Sequence, residues 1–187
     1  MDSEPDRSDE VEVIGTGLFL RLVRKSGWEY VERTRPVGSA FIGAITVDGR
    51  LIVTEEYRVP MGRWVIGCPA GLVGDLEGSE SEQLADAVGR ELVEEVGYQP
   101  GMVRLLTAGP TSPGQNAEVI AIVLADGLRR VGPGGGTARE QIRFHEVPLA
   151  EIDGWLSDRE REGRLIDPKV YSVLYFIRCR SALGSIA

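Results

Sequence analysis

The sequence is poor in the residues from which zinc sites and disulfides are built. It contains a single histidine, His145, and two cysteines, Cys68 and Cys179, which do not form a CxxC pair. Zinc sites take most of their ligands from these two residue types, so no zinc site is expected. Both cysteines lie in apolar stretches, and we expect them to be buried free thiols in a reducing compartment.

Basic runs and long apolar runs are also missing. The formal net charge is -8 and the pI is near 4.8, which argues against nucleic acid or an anionic membrane as a partner. No apolar run approaches the roughly 18 residues of a membrane span. The first ten residues, MDSEPDRSDE, are acidic and unlike a secretory signal. We therefore expect residues 1–10 to be disordered and the protein to be cytoplasmic.

Acidic side chains, by contrast, are plentiful: 29 of the 187 residues are Asp or Glu. Carboxylates are ligands that Mg²⁺ and Mn²⁺ prefer. A small anionic substrate would need such ions to offset the local carboxylates. The length suits one domain with a sizeable core.

Hydrophobic patterning predicts strands over the first two thirds of the chain and few helices, an α+β arrangement. Residues 11–36 are expected to form a small N-terminal β region, and residues 37–187 the main domain. The predicted strands lie at 12–25 (one or two strands), 28–33, 39–46, 51–57, 64–66, 103–107, 118–124 and 140–147, with a two-residue turn at Asp48-Gly49. The predicted helices lie at 82–96 (capped by Ser79 or Ser81 and ended by Gly97), at 149–160 and from Asp167 towards Ala182, with a glycine-rich loop at 71–81.

The predicted helix at 82–96 has an unusual feature. Leu84, Val88 and Leu92 form an apolar stripe, and at roughly 100° per residue Glu91 and Glu95 fall on the same side. Carboxylates beside a buried stripe are costly unless a cation accompanies them. The alternative is a solvated helix face with weak ion pairs. The glycine-rich loop that leads into the helix favours the cation site.

At this helix the sequence resembles the signature of the Nudix hydrolases. The matching residues are Gly71, Glu82, Arg90, Glu91, Leu92, Glu94, Glu95, Gly97 and Tyr98. The resemblance implies a Nudix-type α-β-α sandwich with a mixed sheet, preceded by a small N-terminal antiparallel sheet. It also implies divalent-metal-dependent hydrolysis of nucleoside diphosphates linked to another group.

One spacing departs from the family pattern, since ten residues separate Gly71 from Glu82 where the family usually has five. Glu77 would restore the usual gap but would break the spacing to Arg90. A five-residue loop insertion is the better interpretation. Helix geometry fixes Glu82 relative to Arg90, whereas a loop tolerates added length.

The resemblance implies roles for individual residues of the signature. Glu91 and Glu95 would ligate Mg²⁺ or Mn²⁺, and the Ala70 carbonyl would add a ligand. Glu94 would support or bind another ion. Arg90 lies one turn before Glu94, and we expect it to hold that carboxylate by a charge-assisted contact and so to support catalysis.

Segments outside the signature resemble the ADP-ribose and ADP-sugar pyrophosphatase subgroup. Arg58, in the segment EEYRVP, would contact phosphate; an ordinary surface arginine is the alternative. Pro113 and Gly114 resemble the marker loop of that subgroup, and Glu118 follows on the same loop. These three residues would bind substrate, and a plain turn is the alternative.

Two further roles come from the same resemblance. Trp28 would stack on adenine from an N-terminal sheet exchanged between two subunits, so a homodimer is implied; a core or interface aromatic is the alternative. Glu140 follows the glycine-rich segment VGPGGG and would be the general base on a mobile loop. An exposed glutamate at a strand start is the alternative, and Glu118 and Glu94 are the other candidate bases.

The sequence therefore predicts a Mg²⁺- or Mn²⁺-dependent hydrolase that splits ADP-ribose into AMP and ribose 5-phosphate. GDP-mannose or another nucleoside diphosphate sugar is the nearest rival substrate. A Nudix-fold sensor that binds a nucleotide without cutting it is the non-enzyme alternative. We disfavour the sensor because every carboxylate of the signature is present.

Overall fold

The computed structural model describes residues 10–35, 37–76, 78, 81–136 and 141–182. Residues 1–9, most of the segment expected to be disordered, lie outside the described residues, as do Glu77, Ser79 and Glu140. No helix within the described ranges is long and apolar enough to cross a lipid bilayer.

Within those ranges the chain forms thirteen strands and three α-helices. The N-terminal strands are β1 (Glu12–Thr16), β2 (Leu20–Lys25) and β3 (Trp28–Arg33). The strands of the main domain are β4 (Gly38–Ile45), β5 (Arg50–Arg58), β6 (Arg63–Gly67), β7 (Ala70–Val73), β8 (Tyr98–Gln99), β9 (Met102–Pro110), β10 (Val119–Asp126), β11 (Arg129–Arg130), β12 (Arg143–Pro148) and β13 (Leu165–Ile166). The helices are α1 (Leu84–Val96), α2 (Ile152–Arg161) and α3 (Pro168–Ala182).

The three N-terminal strands form an antiparallel sheet of their own, in the order β1-β2-β3. The turn between β2 and β3 holds Ser26 at φ 49° and Gly27 at φ 78°, which a two-residue hairpin of the favoured hand requires. Strand β3 ties this sheet to the main domain. The Val31 N–H donates to the Gln115 carbonyl at 2.9 Å, and the Ala117 N–H donates to the Val31 carbonyl at 3.1 Å. The predicted small antiparallel sheet is confirmed.

The main sheet has eight strands in the order β13-β6-β5-β4-β10-β9, with β12 also paired to β5 and β7 to β4. Strands β4 and β10 run parallel, as do β6 and β13, so the sheet is mixed. Successive side chains of a strand point to opposite faces. In β4, Ala40 and Ile42 pack with α1, whereas Phe41 packs with α2 and α3. Helices cover both faces, and the predicted α-β-α sandwich is confirmed.

Aliphatic side chains hold α1 against its face of the sheet. Val88, Leu92 and Val96 are fully buried and pack against Ile42 and Val123. Full burial of such a side chain contributes about 1.5–3 kcal/mol. The apolar stripe that the sequence predicted for this helix is therefore the packing face, and it brings the adjoining glutamates to the sheet.

The start of α1 and the segment before it differ from the sequence prediction. The helix begins at Leu84 and has no side-chain capping bond, so Ser81 does not cap it. The predicted loop at 71–81 begins as part of β7. Strand β5 pairs with β4 only at Ala44 and Ile45, and β7 supplies hydrogen-bonding partners for the other half of β4. The β4–β7 pairing depends on the position at which β5 separates from β4. A short stretch of sequence around β7 carries no information about that position.

Other departures from the sequence prediction are smaller. The connection between β4 and β5 is longer than the predicted two-residue turn, and within it the Gly49 N–H donates to the Thr46 carbonyl at 3.0 Å. Helix α2 begins at Ile152, after the predicted start at 149. Strands β8, β11 and β13 have two residues each, too few to show a periodicity. Cys68 is buried as expected, whereas Cys179 is only partly buried.

A buried ionic cluster joins β5 to the α2 side of the sheet. Glu55 of β5 is 3% exposed; it accepts a hydrogen bond from Arg164 Nε at 3.0 Å and lies 3.1 Å from His145 Nε2. The His145 ring packs against Trp155 with 5.1 Å between centroids. Burial by itself would raise the pKa of Glu55, but the hydrogen bonds from Arg164 and His145 outweigh it and lower that pKa.

Replacing Glu55 by glutamine is expected to lower the free energy of unfolding by about 2–3 kcal/mol at neutral pH, because Arg164 loses a charged acceptor. The pKa of Glu55 is lower in the folded state than its ordinary value of 4.5. The carboxylate therefore contributes stability above about pH 4.5, and this contribution is lost as the pH falls through the folded value. The wild type should lose stability more steeply in acid than Glu55→Gln.

Urea unfolding of both proteins from neutral pH down to about pH 3 measures this difference across the window in which Glu55 titrates. Glu10→Gln, at an exposed position near the N-terminus, is the control and should follow the wild type throughout. If the free energy of unfolding fell equally with decreasing pH in the wild type and in Glu55→Gln, a stabilising role for the Glu55 carboxylate would be contradicted.

Candidate active site

The two glutamates beside the apolar stripe lie at the junction of α1 and β7. Glu95 is 8% exposed, and its Oε2 accepts a hydrogen bond from the Ala70 N–H at 3.1 Å. The Glu91 side chain is 13% exposed. Both carboxylates are therefore withdrawn from most of the solvent, as the helical pattern predicted, and the alternative of a fully solvated face is wrong.

Gly71 makes room for Glu91. A Cβ atom at position 71 would lie 2.0 Å from the carboxyl carbon and 2.3 Å from Cγ of Glu91, distances that no side chain can occupy. The carboxylate thus rests directly on the backbone of β7. Burial raises the pKa of Glu91, and the neighbouring Arg90 guanidinium only partly offsets this effect. This is the environment of a carboxylate that a further cation would stabilise.

Arg90 holds a different set of partners from the one predicted. Its guanidinium contacts Glu91 at 2.7 Å and Glu82 at 3.2 Å, and donates to the Leu72 carbonyl at 3.0 Å. The expected contact with Glu94 is not among its hydrogen bonds or ion pairs within the described residues. Side chains of a helix lean towards its N-terminus, so the guanidinium reaches the segment before the helix instead of the following turn. The hydrogen bonds with Glu82 raise the pKa of Arg90.

The ten-residue spacing between Gly71 and Glu82 leaves the contacts of Glu82 with the helix intact. Glu82 Oε1 pairs with Arg90 Nε at 3.2 Å, and its Oε2 accepts from the Gly74 N–H at 2.9 Å. These bonds, that from Arg90 first, lower the pKa of Glu82. Asp75 adds a second carboxylate 3.2 Å from Arg90. No sequence signal identified Asp75, because it lies in the loop, where side-chain direction has no periodicity.

The residues predicted to bind substrate lie on other elements. Arg58 ends β5 and forms an ion pair with Glu56 at 2.9 Å. Pro113 and Gly114 are exposed in the β9–β10 connection, whose 115–117 segment bonds to β3. Glu118 follows there, pairing with Arg33 at 3.3 Å and accepting from the Thr111 hydroxyl at 3.1 Å.

Of the two remaining predicted residues, Trp28 lies within the described residues and Glu140 does not. Trp28 begins β3 and is 64% exposed, so the alternative that it belongs to the core of its own chain is wrong. An exposed indole remains available for stacking or for an interface. Glu140 lies outside the described residues, and its role as a base stays a prediction.

The donor set fits a hard divalent cation. Glu91 and Glu95 supply carboxylates, β7 supplies the Ala70 carbonyl beside them, and hard cations take oxygen ligands of these kinds. Glu94, on the same helix, is partly buried. Among the described residues, no three His, Cys, Asp or Glu side chains form a metal cluster by themselves. The fit therefore rests on the buried carboxylate of Glu95, the partly buried carboxylate of Glu91 and a main-chain oxygen, together with the raised pKa of Glu91.

A NUDIX domain model matches residues 35–164 of this sequence. The chain belongs to the Nudix family. The family resemblance inferred from the sequence is thereby confirmed, and residues 71–98, which carried it, lie within the matched range.

Relatives of this Nudix protein have several functions. The ADP-ribose pyrophosphatase of Mycobacterium tuberculosis is 35% identical, with 86% of this chain and 67% of the relative covered. The methanol dehydrogenase activator of Bacillus methanolicus is 28% identical, covering 81% and 78%. The GDP-mannose pyrophosphatase of Cronobacter sakazakii is 28% identical, covering 87% and 86%. The solved structure of an ADP compounds hydrolase has a TM-score of 0.69 at 24% identity, covering 94% of this chain and 95% of the other, and so shares the fold.

Two substitutions separate the contribution of the signature residue Glu82 to the free energy of unfolding from the contribution of the longer loop. We expect Glu82→Gln to lower the free energy of unfolding by about 1.5–3 kcal/mol, because charge-assisted bonds to Arg90 and Gly74 are weakened. Asp75→Asn should cost less than about 1 kcal/mol, because the Asp75 side chain is 30% exposed against 12% for Glu82, and an ion pair contributes less as its exposure to solvent increases.

Urea unfolding of the two variants beside the wild type measures both costs, and the double variant reports whether they add. Equal costs for Glu82→Gln and Asp75→Asn would show that the loop carboxylate anchors Arg90 as strongly as the signature glutamate, contrary to this assignment.

Proposed function

We propose that the protein is a divalent-metal-dependent pyrophosphohydrolase of nucleoside diphosphate sugars, and that its main substrate is ADP-ribose, which it splits into AMP and ribose 5-phosphate. The observation that carries the proposal is the burial of Glu91 and Glu95 against Gly71 and Ala70. The 35% identity to an ADP-ribose pyrophosphatase supports the choice of substrate.

Glu91, Glu95 and the Ala70 carbonyl would hold Mg²⁺ or Mn²⁺, and Glu94 would support a further ion. A bound divalent ion neutralises pyrophosphate charge and lowers the pKa of a bound water. The chain's own contribution is preorganisation. The Ala70 N–H orients Glu95 at 3.1 Å, and the Arg90 guanidinium orients Glu91 at 2.7 Å, so both carboxylates are directed before substrate arrives.

The general base that takes the proton of the attacking water is assigned to Glu140. Glu94 is the next candidate, because it shares α1 with the carboxylates of the site. Glu118 ranks last, because its carboxylate already pairs with Arg33 and accepts from Thr111.

Recognition of the substrate is assigned to exposed side chains outside the signature. The Trp28 indole would stack on adenine, a contact worth about 1–3 kcal/mol per base. The planar guanidinium of Arg58 suits phosphate oxygens, and Pro113 and Gly114 would shape the loop beside the substrate. GDP-mannose is the rival substrate, favoured by the 28% identity to a GDP-mannose pyrophosphatase over 86% of that relative.

A panel of nucleoside diphosphate sugars, assayed for phosphomonoester products with Mg²⁺ or Mn²⁺, tests the proposal. We expect the highest kcat/KM for ADP-ribose. Glu95→Gln should reduce kcat by roughly 100-fold, because the divalent ion that would stabilise the transition-state charge loses a carboxylate ligand. Gly71→Ala should have a similar effect, because it displaces the Glu91 carboxylate. Gly89→Ala is the matched control, since its Cβ would meet nothing within 4 Å.

Absence of turnover of every nucleoside diphosphate sugar would leave the nucleotide-binding sensor as the better interpretation. A preference for GDP-mannose would transfer the assignment to the rival substrate. In the same panel, Glu140→Gln should lower kcat with little change in KM; full activity of that variant would remove Glu140 as the base. Trp28→Ala should raise KM for ADP-ribose if stacking occurs.

We also propose that the protein is a homodimer with exchanged N-terminal strands. The β1–β3 sheet and its turns expose several large apolar side chains, including Leu18, Phe19 at 69% and Trp28. A small sheet that exposes several large apolar side chains is typical of an interaction surface. A second copy of the chain could cover it and would also bring Trp28 to the neighbouring site.

Sedimentation equilibrium should therefore give twice the chain mass of 20.4 kDa. Phe19→Ser should shift the equilibrium towards the monomer, because it removes apolar area from the interface. Val47→Ser is the control, an apolar residue in the β4–β5 turn that is 86% exposed, more than Phe19. A monomeric wild type at micromolar concentration would refute the proposed dimer.

A further inference from the structure

A glycine-rich segment covers the C-terminal end of α1. We call residues 132–136 the glycine segment. The Gly135 N–H donates to the Glu95 carbonyl at 2.8 Å, and the Gly136 N–H donates to the Glu94 carbonyl at 3.1 Å. The last four carbonyls of a helix have no partner within the helix. Here, amides more than thirty residues further along the chain supply partners to the carbonyls of Glu94 and Glu95, two of the three glutamates assigned to the site.

Gly134 lets this segment approach the helix backbone to backbone. It has φ 70°, and a Cβ atom there would lie 2.6 Å from the carbonyl carbon of Val96, 2.7 Å from its Cα and 2.8 Å from the Glu95 carbonyl oxygen. These are main-chain atoms of α1, so the steric clash can be relieved only if the helix or the glycine segment moves. A side chain at 134 would therefore separate the two.

The two backbones are also in close contact at Gly97, the residue that ends the helix. Gly97 ends the helix at φ 75°, and a Cβ atom there would lie 2.2 Å from the Gly132 carbonyl oxygen. The Gly97 carbonyl accepts from the Val131 N–H at 2.8 Å and the Gly132 N–H at 3.1 Å. The contact between the helix end and the glycine segment is thus made by main chain on both sides, which fixes the separation of the two backbones more tightly than flexible side chains would.

We infer that Gly134 is a positioning residue for the carboxylates of Glu91 and Glu95, a role that rests on the proposed function. Docking of the glycine segment sets the position of the last turn of α1 relative to β7. The hydrogen bond between Glu95 Oε2 and the Ala70 N–H spans 3.1 Å, so a displacement of the turn by a few tenths of an ångström weakens it. A misplaced carboxylate also binds the divalent ion in a poorer geometry.

The test compares Gly134→Ala with two control variants. Gly132→Ala, in the same segment, places a methyl group where nothing lies within 4 Å. Gly163→Ala, outside the segment, places one at φ 87°, also with nothing within 4 Å, and so introduces backbone strain without a clash. Titration calorimetry with Mn²⁺ alone, without substrate, measures the ion affinity of each protein.

We expect Gly134→Ala to raise the Kd for Mn²⁺ by about tenfold, within the range seen when outer-shell partners of metal ligands are lost. Its kcat should fall with little change in KM, because misplacement of catalytic groups lowers the rate without removing substrate contacts. Gly132→Ala should match the wild type. Gly163→Ala should have a lower Tm but an unchanged Kd, which separates positioning from general destabilisation.

Amide hydrogen exchange gives a second readout that needs neither substrate nor metal. The Gly135 and Gly136 amides should be protected in the wild type to the same degree as amides in the last turn of α1, and they should exchange faster in Gly134→Ala. A folded Gly134→Ala with wild-type Mn²⁺ affinity and wild-type exchange would overturn the inference.

If Gly134→Ala does not fold, amide hydrogen exchange of the wild type with and without Mg²⁺ tests the inference. Protection of Gly135 and Gly136 that increases with Mg²⁺ supports the role, and exchange at the rate of an open peptide overturns it. A wild type that binds Mn²⁺ but hydrolyses no nucleoside diphosphate sugar would refute the proposed function while the binding and exchange measurements still report on Gly134.

Discussion

The burial of two carboxylates between α1 and β7 is the constraint on which the rest of the site depends. A carboxylate withdrawn from water is expensive unless a partner compensates it. Glu91 and Glu95 receive different partners, the Arg90 guanidinium and the Ala70 N–H. Gly71 also makes this arrangement possible, because any side chain at position 71 would occupy the space of the Glu91 carboxylate. The distance between helix and strand is therefore narrowly defined.

Different forces hold the middle and the ends of α1. Burial of its aliphatic stripe, Val88 and Leu92 included, presses the helix onto the sheet, but apolar contact has little directional preference. Direction comes from hydrogen bonds. Arg90 bonds to Glu82 and to the Leu72 carbonyl before the helix, and the amides of the glycine segment bond to carbonyls at its last turn. The carboxylates lie between these two sets of directional contacts.

The outcome for individual residues shows how far local sequence information extends. The side of α1 on which Glu91 and Glu95 fall follows from the helical repeat and was predicted correctly. The partner of Arg90 was predicted wrongly, because helical spacing alone ignores that side chains lean towards the N-terminus and that a remote loop offers competing carboxylates. Strand β7 escaped prediction because its partner, the free half of β4, is defined by where β5 departs. The exposed Trp28 shows that an aromatic residue in an alternating strand need not be a core residue.

From the sequence by itself, the resemblance of the signature residues indicated the family and the α-β-α architecture. The helical repeat put Glu91 and Glu95 on the packing side of α1, because a fixed repeat places residues on one face whatever surrounds them. The tertiary structure decided what those carboxylates contact. The Ala70 N–H, the Asp75 carboxylate and the close approach of Gly134 to Val96 all bring together segments separated along the chain. Such contacts depend on how strands pair and where loops return, and those choices minimise the free energy of the whole domain, not of any local segment.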